Sequence, residues 1–143
     1  MIQFPKSLVL DRLKELRRGS VCRWWHPEMD RGRGRHKFAV ILNREWPPDD
    51  GVVFFALATS KTKHFESGFM RDSIIRIPGQ RYSFLPLDTI VKLMEISTIS
   101  LQSLAEAANL EISGDLNTDD IGDIDRALSR SRVIDEAILS RIR

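Results

Sequence analysis

Residues 19–60 read GSVCRWWHPEMDRGRGRHKFAVILNREWPPDDGVVFFALATS. Three apolar segments stand in this stretch: Ser20 to Trp25, Lys37 to Leu42 and Val52 to Thr59. The second and third are continuous runs rich in Val, Ile and Phe, the composition of strands buried on both faces. Between the first two lies a cationic link, Arg31, Arg33 and Arg35 alternating with Gly32 and Gly34, then His36 and Lys37. Between the last two lies Pro47-Pro48-Asp49-Asp50-Gly51, a turn composition. Three strands at this spacing predict an antiparallel unit.

Working outward, Ser7 to Arg18 predicts an amphipathic helix. Val9, Leu13 and Leu16 share one face, Ser7 caps it and Gly19 ends it. Downstream, Ser73 to Ile77 reads as a strand ending at Pro78-Gly79, and Pro86 limits pairing thereafter. The run Thr89 to Ile99 has apolar spacing compatible with a helix, but its β-branched content favours a strand. A short helix is expected at Leu101 to Ala108. Thr118 is then expected to cap a long C-terminal helix with Asp119 and Asp120 in its first turn, where the helix dipole favours acids. Ile121, Ile124 and Leu128 form its stripe, followed by Ile134 and Ile138. The expected fold class is mainly β with helices (α+β): one domain, residues 1–143, built as a small half-open barrel of antiparallel strands. The helical extension, about residues 1–18, is added in front, and the C-terminal helix packs on the barrel.

Composition narrows the function classes. The chain has 143 residues, 42% hydrophobic and 29% charged, ordinary for a globular domain. No apolar run approaches the roughly 20 residues of a membrane helix, so no membrane partner is expected. Met1 to Lys6 lacks the layout of a signal peptide. Cys22 is the only cysteine, which excludes an internal disulfide and makes a reducing cytoplasm the default location. The net charge of +2 is unevenly spread. Residues 101–143 hold nine acidic and five basic side chains, leaving 17 basic against 11 acidic before them, a net +6. That asymmetry is compatible with a polyanion partner.

A cationic loop and the hydroxyl pair Thr59-Ser60 fall at neighbouring strand ends, an arrangement able to hold a phosphodiester. Metal-free RNA cleavage needs a base for the 2′-hydroxyl, an acid for the leaving oxygen and positive charge for the phosphorane. Histidine as a residue type can act as base or acid near neutral pH, which makes His36 a candidate, and Arg35 or Arg33 offers a fork of donors to phosphate. Thr59 and Ser60 can position the phosphate, and Lys61, Lys63 and His64 extend the cationic groove. Trp24, Trp25 and Trp46 can stack on bases, although one of the adjacent pair must face the core. Each feature also has a structural reading: a surface histidine, a solvated loop, a strand-end turn. His26, His36 and His64 lack metal-ligand spacing, and no cofactor motif is present, so neither metal nor cofactor is expected.

The motif order resembles the MazF/PemK-like toxins, which share an SH3-like barrel with CcdB. In that family a G-D-I/V strand leads through a Gly-rich loop to R-P-x-x-V-I/L. A strand then ends in I-T-S or L-T-S, and a final G-x-L precedes a helix of the type I-x-x-A-L. The matching stretches are Gly19-Ser20-Val21, Lys37 to Leu42, Leu57-Ala58-Thr59-Ser60, Gly114-Asp115-Leu116 and Ile121 to Leu128. The resemblance covers about Gly19 to Ser131. It implies metal-independent cleavage of single-stranded RNA, an acidic antitoxin as partner, and a homodimer. The family's threonine falls on Thr59. The arginine before its proline falls on His36, with Lys37 in the proline position and Arg35 one residue earlier. The implied catalytic residues are therefore His36, Thr59 and Arg35. The implied RNA-binding residues are Arg31, Arg33, Lys37, Ser60, Lys61, Lys63 and Trp24. The departure at the arginine position leaves an alternative, an inactive homologue or a CcdB-like module that acts by binding a protein.

Overall fold

The computed structural model describes residues 11, 13–29, 31–62, 73–130 and 134–142. Six strands are present among the described residues: β1 (Ser20–His26), β2 (Arg35–Ile41), β3 (Val52–Thr59), β4 (Ile74–Ile77), β5 (Thr89–Ser100) and β6 (Glu111–Asp115). Three helices accompany them among the described residues: α1 (Leu101–Ala105), α2 (Thr118–Arg130) and α3 (Glu136–Ile142). The protein is α+β, and its strands form one antiparallel half-barrel sheet in the order β4-β5-β3-β2-β1-β6.

Alternation along the strands sorts the apolar residues into two cores. Val21, Val40, Leu42, Phe54, Ala56, Val91 and Leu93 face Ile124, Leu128, Leu139 and Ile142 of α2 and α3. Cys22, Trp24, Ala39, Ile41, Val53, Phe55 and Leu57 face the other way, against Leu13, Leu16 and Leu104. A sheet covered on both sides explains why β2 and β3 read as unbroken apolar runs. Each fully buried Ile or Leu of α2 contributes about 1.5–3 kcal/mol to holding that helix on the sheet.

Two irregularities shape the half-barrel. β5 pairs with β3 in two registers, Ala56 with Ile96 and then Ala58 with Val91, so the long strand bends and carries β4 along its first half. β6 shifts register against β1 between Val21 and Cys22. The seam between the β4–β5 connection and the start of α2 is polar. Asp120, with its side chain 1% exposed, accepts from Arg81 at 2.5 Å and from the Tyr82 hydroxyl at 2.5 Å. The Tyr82 oxygen in turn accepts from Asn117 N–H at 2.7 Å. Phe84 packs so closely on Gly114 of β6 that a Cβ there would lie 2.5 Å from its ring.

Several expectations need correction. The short helix ends at Ala105, three residues early. Asn117, not Thr118, caps α2: its side-chain oxygen accepts from Asp120 N–H at 2.8 Å. The single C-terminal helix is two, α2 and α3, and Ile134 is buried between them. β6 was not anticipated. Of the expected Ser7 to Arg18 helix, residues 7–10 and 12 lie outside the described residues; Asp11 and Leu13 are helical, Leu16 and Arg17 are not, and Trp46 Nε1 donates to the Leu13 carbonyl at 2.6 Å.

Candidate nucleic-acid interface

The β1–β2 hairpin sets the site. Its register pairs Trp24 with Lys37, Trp25 with His36 and His26 with Arg35. Opposed residues share a face and neighbours alternate. Arg35 and Lys37 therefore lie on the face of Trp24, and His36 lies with Phe38 and Arg23 on the face of the helices. β3 continues the pattern: Leu57 belongs to the Trp24 face, so Thr59, two residues on, does too. Thr59 pairs with Ile90 of β5, and Lys92 follows two residues later on the same side.

Arg35, Lys37, Thr59, Lys61 and Lys92 thus gather on one side of the sheet, at the exit of β3. Burial pushes the Lys37 ammonium below the ordinary lysine range, and the charges of Lys92, Arg35 and Lys61 push it further. The Thr59 hydroxyl is mostly covered and accepts from Lys61 N–H at 3.1 Å. Lys92 reaches Glu95 at 3.7 Å. Ser60 is exposed beside them.

The loop between β1 and β2 is held from beneath. Arg31, Gly32 and Gly34 have φ of 56°, 83° and 82°. Gly34 N–H donates to the Met29 carbonyl at 2.9 Å. Its backbone rests on the Trp25 indole, where a Cβ would come within 2.0 Å of Cζ2. Arg31 and Arg33 project from this tip and are exposed. Trp25 meets His36 edge to face at 5.1 Å, Arg23 lies 5.7 Å from the Phe38 ring centre, and His36 Nδ1 is buried with no hydrogen-bond partner.

His26 belongs to the cationic face but is only 5% exposed, stacked on Trp24 at 4.7 Å. Burial lowers its pKa most; Glu28 opposes that shift, and Lys37 and His36 add to it.

The structure brings together Thr59, Arg35, Lys37 and Lys61, with Ser60 next to them. It sets His36 on the opposite face. Trp24, expected to stack on bases, is instead 4% exposed and packs edge to face on Phe55 at 5.1 Å, so its ring is core. Lys63 and His64 lie outside the described residues. Lys92 was missed by the sequence reading; its signal is a lone lysine inside the apolar half of β5. Cys22 is buried, and burial with the Asp115 charge pushes its thiol up to about 12, so it is no nucleophile. Among the described residues no group of three or more His, Cys, Asp or Glu is arranged to hold a metal ion, and no helix is long and apolar enough to cross a membrane.

No protein-family model matches the chain, and no curated protein matches it either.

Proposed function

We propose that this chain is a toxin-like, metal-independent endoribonuclease of the MazF/PemK kind, with an SH3-like barrel, that takes single-stranded RNA on the face bearing Thr59. The observation that carries the reading is the set of cations, Arg35, Lys37, Lys61 and Lys92, around the Thr59 hydroxyl at one strand exit. Their charges neutralise the phosphodiester and the developing phosphorane. Thr59 and Ser60 orient the phosphate. Lys37, whose ammonium already yields its proton more readily than an ordinary lysine, is the proton donor to the leaving 5′-oxygen. Arg31 and Arg33 at the loop tip meet the flanking backbone. An acidic antitoxin, a homodimer and a cytoplasmic location belong to the same reading.

One observation favours a second reading. His36 stands on the other face from Thr59 and Lys37, and His26 is buried, so among the described residues the cationic face has charge but no accessible imidazole. A module that binds RNA or a protein without cutting would look the same. The deciding experiment incubates the purified chain with a long single-stranded RNA in EDTA. Fragments with 2′,3′-cyclic phosphate ends, lost on Thr59→Ala with Lys37→Ala, support the nuclease. RNA that is retarded but intact supports the binding module. RNA neither cut nor bound sinks both.

A further inference from the structure

β4 has one exposed residue, Arg76; Ile74, Ile75 and Ile77 are buried. The ladders fix the side of the sheet on which Arg76 stands. It is opposite Ile90 of β5, and Ile90 is opposite Thr59 of β3. Directly opposed residues share a face. Arg76 therefore lies on the side of Thr59, away from the helices. Ile74 is opposite Lys92, which makes Lys92 and Arg76 diagonal neighbours across the β4–β5 ladder.

The sheet order β4-β5-β3-β2 then sets Arg76, Lys92, Thr59 and Lys37 on four successive strands of one face. With strands about 4.8 Å apart, the Arg76 Cα stands two spacings, about 10 Å, from that of Thr59 across the strands. Among the described residues no carboxylate pairs with Arg76. The acids that flank the β5 positions are engaged elsewhere: Asp88 accepts from Gly79 N–H at 2.6 Å, and Glu95 stands 3.7 Å from Lys92. An exposed guanidinium beside an ammonium, with no acid to meet it, draws an anion from outside the chain.

We infer that Arg76 binds the RNA backbone at a phosphate flanking the one held at Thr59, and that the single strand crosses β2, β3, β5 and β4 rather than running along any one of them. The inference rests on the Thr59 face taking RNA. The guanidinium fork suits a phosphate. Its contact lies away from the reacting bond, so it is the same before and in the transition state and supports binding, not the chemical step.

The test measures RNA affinity against salt, and cleavage in EDTA, for the full chain and three variants. Arg76→Ala should flatten the slope of log affinity against log salt by about 0.7, one single-strand phosphate contact. It should raise KM about twofold to fivefold and leave kcat unchanged. Arg76→Lys, which keeps the charge, should restore most of the slope. Arg130→Ala, at an exposed position of α2, should change neither quantity. An unchanged slope in Arg76→Ala, with RNA still bound by the native chain, would overturn the inference and leave the Thr59 face standing. An equal loss from Arg130→Ala would also overturn it, by assigning both effects to overall charge. Where RNA is held but not cut, the slope decides alone. RNA not bound by the native chain would remove the Thr59 face as an RNA site, and the inference with it.

Discussion

The two faces of the β1–β2 hairpin are made from alternate residues of the same two strands, yet their chemistry differs. One face carries Arg35 and Lys37 beside Thr59 and Lys92; the other carries Arg23, Trp25, His36 and Phe38. The first is a field of cations around a hydroxyl. The second is an aromatic surface on which the cation Arg23 is laid over a ring. Arg35, His36 and Lys37 are consecutive, but the pleat divides them two to one. Residues that touch in sequence cannot act on one phosphate unless the strand bulges between them, and the β1–β2 register runs unbroken from Val21 to His26.

The sharpest way to break this comparison is kinetic. On the proposed reading, Thr59→Ala with Lys37→Ala lowers the initial rate of RNA cleavage in EDTA by about 10²-fold or more. His36→Ala, on the other face, changes it by only a few-fold. Circular dichroism on each variant checks that folding is intact. An equal loss from His36→Ala would mean that RNA reaches round the hairpin edge, and the division between faces would not be functional.

Much of the fold was readable because burial on both faces leaves a strong mark. β3 has the limits its apolar run predicted, Val52–Thr59, and β1 and β2 differ only at their ends. β5 was the ambiguous run, and its β-branched residues were the better guide. β6 was not readable: Glu-Ile-Ser-Gly-Asp has one apolar side chain and a glycine, and its pairing with β1 is a long-range contact. Asn117 was passed over as a cap because Thr118 is an equally good one by type; only the geometry separates them. The split of the C-terminal helix was hidden by an apolar stripe that continues from α2 into α3. At the site, the cationic loop and Thr59-Ser60 were visible as motifs. Their distribution over two faces was not, because it depends on the register that β2 adopts against β1. Lys92 comes from a strand more than thirty residues beyond Thr59, so only the sheet order brings it near.

A second test addresses how the tip is held. Gly34 rests on the Trp25 indole in a left-handed conformation, whereas Gly32 is left-handed with open space around it. Gly34→Ala therefore meets both backbone strain and a ring that has to move, a cost of about 2–4 kcal/mol. Gly32→Ala meets strain alone, about 1 kcal/mol. Urea denaturation of the two variants measures the difference. Equal losses would mean that Trp25 does not brace the loop, and that the aromatic face has no part in presenting Arg31 and Arg33.

Salt dependence gives a smaller and more selective readout. Each phosphate contact with a single strand contributes about 0.7 to the slope of log affinity against log salt. Lys37→Ala with Lys92→Ala should flatten the slope by roughly 1–1.5, while Arg23→Ala, on the aromatic face, should leave it unchanged. A slope that responds to Arg23 and not to the lysines would reverse the assignment of the two faces.

The smallest expected effect concerns His26, the one imidazole on the cationic side among the described residues. Burial lowers its pKa from 6.5, with Glu28 opposing the shift and Lys37 and His36 adding to it. The sign follows from which state binds the proton more readily. Above pH 6.5 the imidazole is neutral in both states and its burial costs nothing in charge. As pH falls below that value the unfolded chain takes up a proton first, so stability declines until the folded pKa is passed. Carboxylates titrate mostly below about pH 5, which leaves a window between there and 6.5 for His26 to be seen. In that window the urea midpoint of the native chain should drop as the solution is acidified. His26→Phe, which keeps a ring on Trp24 but has no proton to gain, should flatten the drop. Bound RNA should do the reverse: its phosphates, drawn to Arg35 and Lys37 on the same face, offset the neighbouring cations and make a protonated His26 easier to hold. The acid drop would then be shallower with RNA present in the native chain and unaltered by RNA in the His26→Phe variant. The same acid limb in both proteins would show that His26 does not set it, and would remove His26 as a pH-sensitive link between the core beneath Trp24 and the cationic face above it.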